Sequence, residues 1–127
     1  MAIISKKVLI IEDDPSFLRA ASHIVEKEGY IVITASNGMT GLRMAKEDKP
    51  DLLILDVMLP GLDGFEICSQ LRKEPQTAKL PIIMLSAKGQ EADKTTGLKV
   101  GASEYLTKPV DRAVLLEKLK SLLPQER

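Results

Sequence analysis

Apolar residues recur along this chain in two alternating rhythms. Short runs rich in Ile, Val and Leu fall at Lys7 to Ile11, Ile31 to Ala35, Leu52 to Leu55, Pro81 to Leu85 and Glu104 to Leu106. Runs of this kind predict strands, and their starts lie roughly 20 to 30 residues apart, room for a strand, a turn, a helix and a return. The first, third and fourth show no apolar/polar alternation, as expected of parallel strands covered on both faces. Between the runs the period lengthens to that of a helix. Phe17, Leu18, Ala21, Ile24 and Val25 form one stripe, with Asp14 at the N-cap, Pro15 at the first helical position and Gly29 closing the helix. Further helices are predicted over Met39 to Lys46, Gly64 to Lys73 and Glu91 to Val100, with Gly101 beyond the end of the last. A fifth carries Leu115, Leu116, Leu119, Leu122 and Leu123, capped by Asp111 and stopped by Pro124. Gly41 costs ~1 kcal/mol relative to Ala inside a helix, which makes the second helix the least secure. Five alternating strands and helices predict a three-layer α/β domain with right-handed crossovers.

Length and charge narrow this picture. The 127 residues suit one domain, with a core of about residues 6–123 and a loose tail at 124–127. Eighteen Lys and Arg balance eighteen Asp and Glu, so the basic excess that drives binding to nucleic acid or anionic membrane is missing. The longest aliphatic runs hold about four residues against ~20 for a membrane helix, and the amino terminus lacks a signal peptide's apolar stretch. A cytoplasmic location is the expectation. Cys68 is the single cysteine, which excludes an internal disulfide and a multi-cysteine metal site. With two Phe and two Tyr, the core must be aliphatic.

In open α/β sheets, ligands bind beyond the carboxyl ends of the strands, near the point where strand order reverses. The first predicted strand ends in Glu12, Asp13 and Asp14, the third in Asp56, the fourth in Ser86, and the fifth in Thr107, Lys108 and Pro109. Taken singly, an acid after a strand reads as a solvated turn or an N-cap, and Asp14 reads that way. The set reads differently, because repulsion among Glu12, Asp13 and Asp56 raises carboxylate pKa values and must be offset by cations. Hard oxygen ligands without His or Cys favour Mg²⁺, whose charge together with that of Lys108 neutralises three carboxylates.

The sequence Val8-Leu-Ile-Ile-Glu12-Asp13-Asp14, then Leu53-Ile-Leu-Asp56-Val-Met-Leu-Pro60-Gly-Leu-Asp63-Gly64, then Pro81-Ile-Ile-Met-Leu-Ser86-Ala87, then Tyr105-Leu-Thr-Lys108-Pro109 resembles the receiver domain of bacterial two-component response regulators. The resemblance spans nearly the whole chain, with separated motifs agreeing in identity, order and spacing. It implies a flavodoxin-like five-stranded sheet in the order 2-1-3-4-5, the order known for the chemotaxis receiver. It also implies that Asp56 accepts a phosphoryl group from a phosphohistidine of a sensor kinase or histidine phosphotransfer protein. Glu12, Asp13, Asp56 and the backbone carbonyl of Met58 would hold Mg²⁺, Lys108 would pair with the carboxylate and then with a phosphoryl oxygen, and Ser86 would donate its hydroxyl to another.

By the same resemblance, Ser86 and Tyr105 form the switch. Tyr105 would turn inward into vacated space, reshaping the face of the fourth helix, fifth strand and fifth helix for a partner or output domain. The chain would be a signalling switch that takes part in its own phosphotransfer and slow dephosphorylation, not a turnover enzyme. Met58 and Lys88, each two residues beyond a reacting position, would tune phosphoryl lifetime toward slow hydrolysis. The Lys108–Pro109 bond would be cis, against an ordinary trans turn. Gly64 would serve a tight turn after Asp63, itself a cap for the third helix.

Three readings compete. A flavin or nucleotide binder would want glycines and hydroxyls after the first strand, where Glu12, Asp13 and Asp14 repel phosphate. A Mg²⁺-dependent phosphohydrolase resembling the haloacid dehalogenase family would carry a second Asp where Met58 stands. A receiver-like module without phosphorylation would not need the full set of Asp56, Ser86 and Lys108. Elsewhere the plain readings are preferred: His23 solvated, Cys68 partly buried and chemically idle. Leu115, Leu119 and Leu122 serve either core packing or a dimer or partner surface.

Overall fold

The computed structural model describes residues 5–87 and 92–123. Its strands grow from the five apolar runs: β1 (Lys7–Ile11), β2 (Ile31–Ala35), β3 (Leu52–Asp56), β4 (Ile82–Ser86) and β5 (Glu104–Thr107). They alternate with α1 (Pro15–Lys27), α2 (Gly38–Glu47), α3 (Gly64–Lys73), α4 (Ala92–Lys99) and α5 (Arg112–Leu122). The strands form one parallel sheet in the order β2-β1-β3-β4-β5. Three of them reach one residue further toward their carboxyl ends than the apolar runs do. The ladder needs only backbone, so Asp56 pairs with Leu85 and Ser86 with Thr107.

The pleat sends alternate residues to opposite faces. Leu9, Ile11, Leu53, Leu55, Ile82 and Met84 pack with Ala45 of α2 and with Ile67, Cys68 and Leu71 of α3. Val8, Ile10, Leu52, Ile54, Ile83 and Leu85 pack with Ala21 and Val25 of α1 and with Leu115 and Leu119 of α5. β3 and β4 are buried along their entire length, which explains their lack of alternation. Burial of each such Leu or Ile contributes ~1.5–3 kcal/mol, so the central strands anchor the rim at their ends.

Side-chain caps fix the helix starts. Asp14 Oδ1 accepts from Ser16 N (3.1 Å), Asp63 Oδ1 from Glu66 N (2.9 Å) and Asp111 Oδ1 from Ala113 N (2.8 Å). α1 ends as expected at Gly29, whose φ of 98° lies in the left-handed region.

Several expectations change on folding. α2 is intact and starts at Gly38, capped by Asn37, and Gly41 within it is no defect. A Cβ there would collide with the Ile11 side chain, so the glycine lets the helix lie close on β1. Gly64 does not take a left-handed φ; that turn belongs to Gly61 (φ 81°), and Gly64 instead sits against the Asp56 carbonyl. Cys68 is fully buried, not partly, and its thiol donates to Val100 O (3.5 Å) while burial pushes its pKa up. Leu115 and Leu119 point into the core and Leu122 packs against it, so they form no exposed dimer stripe. His23 is exposed. No described helix is long and apolar enough to cross a membrane. Lys88, Glu91 and the tail at 124–127 lie outside the described residues.

Candidate functional site

Strand order reverses between β1 and β3, and the polar residues that follow or end the strands gather at this edge. Glu12 follows β1 with its amide donating to Ala35 O (3.0 Å), and its side chain is 1% exposed. Asp13, next in the chain, is exposed. Asp56 ends β3 and is 5% exposed. Carboxylate oxygens of Glu12, Asp13 and Asp56 lie within 4.8 Å of one another. Lys108 comes from the far side of the sheet: its amide donates to Ser86 O (2.7 Å), and the Lys108–Pro109 bond is cis, not the alternative trans turn. Its ammonium donates to Glu12 Oε1 (2.5 Å) and Asp56 Oδ2 (2.9 Å). The backbone amides of Asp14 and Met58 donate to Glu12 Oε2 (3.0 Å) and Asp56 Oδ1 (3.0 Å).

Ser86 at the end of β4 is fully buried, and its hydroxyl has no hydrogen-bond partner among the described residues. A buried hydroxyl in that state is costly unless an acceptor arrives from outside. Met58 is 62% exposed beside the acids. Tyr105 departs from expectation: its ring is already inward, 8% exposed, in a space that Gly97 leaves open beside Met84. An inward turn therefore has no outward starting position here.

Glu12 carries the electrostatic signature of the site. Its pKa is pushed up from 4.5 to about 7, first by burial and then by the neighbouring Asp56, against the lowering pull of Lys108 and the Asp14 amide. Desolvation, not repulsion alone, is thus the main cause. For Lys108, burial pulls the pKa down, but the two carboxylate partners together outweigh it and the net shift is upward. The folded protein holds a proton on Glu12 between pH 4.5 and about 7, where the unfolded chain does not. That contribution to stability is complete below pH 4.5 and is lost as pH rises through about 7. With divalent cations chelated, the unfolding free energy is expected to fall by on the order of 3 kcal/mol between pH 5 and 8. Urea titrations across this range check it, with Glu12→Gln flattening the slope; a wild-type profile that rises would contradict the assignment.

The donor set fits a magnesium ion. With Glu12 ionised, three carboxylates face one ammonium, leaving two negative charges for a hard divalent cation, with oxygen donors throughout. When bound, Mg²⁺ would draw charge from phosphoryl oxygens. Phe17 is the neighbour that sequence reasoning missed, having placed it only in the apolar stripe of α1. Its ring lies 4.5 Å from the Lys108 ammonium. The available signal was its position in the first turn of the helix that leaves the Glu12–Asp13 rim.

Comparison with known proteins places this geometry. Residues 8–120 match the response regulator receiver domain model. The alkaline phosphatase synthesis transcriptional regulatory protein PhoP of Bacillus subtilis is 45% identical over 119 residues, covering 94% of this chain and 49% of that protein. Protein PilH of Pseudomonas aeruginosa is 39% identical over 117 residues, covering 92% of this chain and 97% of that one. The chain thus spans about half the length of one relative and nearly all of the other. Among solved structures, a protein of Chloroflexus aurantiacus J-10-fl described as a response regulator superposes with a TM-score of 0.92 at 35% identity, covering 96% of this chain and 100% of its own.

Proposed function

The chain belongs to the response regulator receiver domain family, and from that premise we propose that it is the phosphoacceptor of a two-component system. The observation that carries this reading is the Lys108 ammonium held at 2.9 Å from the buried Asp56 carboxylate, within a carboxylate cluster able to hold a divalent ion. Asp56 attacks the phosphorus of a phosphohistidine on a sensor kinase or histidine phosphotransfer protein. An O–P bond forms, the P–N bond breaks, and its electron pair leaves on an imidazole whose other nitrogen is already protonated. Asp13, Asp56 and the Met58 carbonyl would hold Mg²⁺, with Glu12 assisting. Lys108 neutralises charge on the transferred group.

The Ser86 hydroxyl, without a partner among the described residues, then finds its acceptor in a phosphoryl oxygen. The acyl phosphate brings about one extra negative charge to the rim. Ser86 and Lys108 move toward it from the ends of β4 and β5, and the face of α4, β5 and α5 is read by a partner or output domain. Tyr105 already lies inside that face, beside Gly97 and Met84. The protein acts as a switch that dephosphorylates slowly, and it works in the cytoplasm.

Incubation with Mg²⁺ and a small acyl phosphate, followed by intact mass, tests the reading. Gain of one phosphoryl group on Asp56 supports it, and no gain overturns it. Lifetime follows from Met58, whose thioether cannot orient an attacking water. Met58→Asn is expected to speed decay of the phosphorylated form by roughly tenfold or less, below the 10²–10⁴ of a true general base. An unchanged or slower decay would count against this role.

A further inference from the structure

We propose that Phe17 is a positioning residue for Lys108, a π surface along which the ammonium moves from Asp56 to the incoming phosphoryl group. The inference rests on the phosphoacceptor reading and adds to it a third neighbour of the Lys108 ammonium, an aromatic ring. Phe17 stands in the first turn of α1, and that turn is fixed to the site. The Asp14 amide donates to Glu12 Oε2 (3.0 Å), the Asp14 carboxylate caps Ser16 N (3.1 Å), and Leu18 N donates to Asp14 O (2.9 Å). The carboxylate that anchors this turn also accepts from Lys108. Ring and ammonium are therefore held to one reference point, 4.5 Å apart.

An ammonium has three N–H donors, and Glu12 and Asp56 take one each. These bonds must change during phosphoryl transfer, because the Asp56 oxygen bonded to Lys108 belongs to the carboxylate that reacts. A ring face attracts a cation through its quadrupole without demanding a particular N–H direction. It can hold the ammonium at nearly constant strength while hydrogen bonds are exchanged, which neither carboxylate can do. An aliphatic side chain of the same bulk would fill the space and supply none of this attraction.

The test compares Phe17→Leu, which keeps apolar bulk, with Phe17→Tyr, which keeps the π face. Phosphorylation by a small acyl phosphate with Mg²⁺ is followed by mass over a range of donor concentrations. The expected result is a fall of roughly 3- to 30-fold in the maximal rate for Phe17→Leu, with recovery in Phe17→Tyr. In a Lys108→Ala background the Phe17→Leu effect should disappear, which a packing role would not predict. The Lys108 side-chain proton signals should be shifted upfield by the ring in the wild type and in Phe17→Tyr, and should lose that shift in Phe17→Leu. Equal rates in wild type and Phe17→Leu, or equal losses in Leu and Tyr, would overturn this inference and leave the phosphoacceptor reading standing. A wild type that gains no phosphoryl group would overturn both.

Discussion

Asp56→Asn is expected to abolish the covalent phosphoryl gain while leaving the protein folded. The amide matches the carboxylate in shape and can still accept from the Met58 amide, which now donates to Asp56 Oδ1 at 3.0 Å. It lacks the charge and lone-pair reactivity that make a carboxylate a nucleophile. The substitution also removes one of three carboxylates from the cluster, so magnesium affinity in calorimetry should fall in the same protein. Because Asp56 helps to push Glu12 upward, the Glu12 pKa should move back toward 4.5 in the variant. The competing chemistries give different results. A phosphohydrolase would release inorganic phosphate continuously and accumulate little adduct, and a receiver-like module without phosphorylation would show no gain in either protein. A wild type and variant that gain phosphate equally would place the acceptor elsewhere.

Gly64→Ala carries a large expected effect on stability, and its sign is informative. On helix propensity alone, Ala should stabilise a helix by ~1 kcal/mol relative to Gly. A Cβ at Gly64, however, would stand 2.5 Å from the Asp56 carbonyl oxygen and 2.9 Å from Val57 Cα, both of them backbone atoms. Neither can turn aside as a flexible side chain would. The Gly64 amide also donates to Val57 O (2.9 Å), so relief requires α3 to lift away from the end of β3. A net loss of about 1–3 kcal/mol is expected, with Tm lower by roughly 5–10 °C. The rate of phosphorylation should fall too, because the residues displaced are those that aim Asp56. Thermal unfolding and the mass assay on the same preparation check both. A variant as stable as the wild type would mean that β3 and α3 separate without cost.

The strands and helix ends were legible in the sequence because their causes are local. β1 and β2 begin and end where the apolar runs do, and α3 runs from Gly64 to Lys73 as its pattern predicts. Asp14, Asp63 and Asp111 cap amides two or three residues away, within reach of any reading of neighbouring residues. The acids at the carboxyl ends of the strands were legible too, because the rule for open α/β sheets says where ligands bind. The roles of Asp56, Ser86 and Lys108 in phosphoryl transfer came with the family resemblance.

What needed the folded chain was every relation that crosses the sheet. Lys108 meets Glu12 across 96 positions and Asp56 across 52, and both contacts depend on strand order and register. The same holds for the ring of Phe17 over that ammonium and for Tyr105 already seated beside Gly97. Gly41 and Gly64 look like a helix weakness and a turn until Ile11 and the Asp56 carbonyl are seen pressed against them. Sequence by itself determined which segments become strands and helices and which side chains lie at the rim, because periodicity and capping act over a few residues. Tertiary structure alone decided which of those side chains touch, how deeply Glu12 is buried and why its proton is held, because contact and desolvation depend on distance in space.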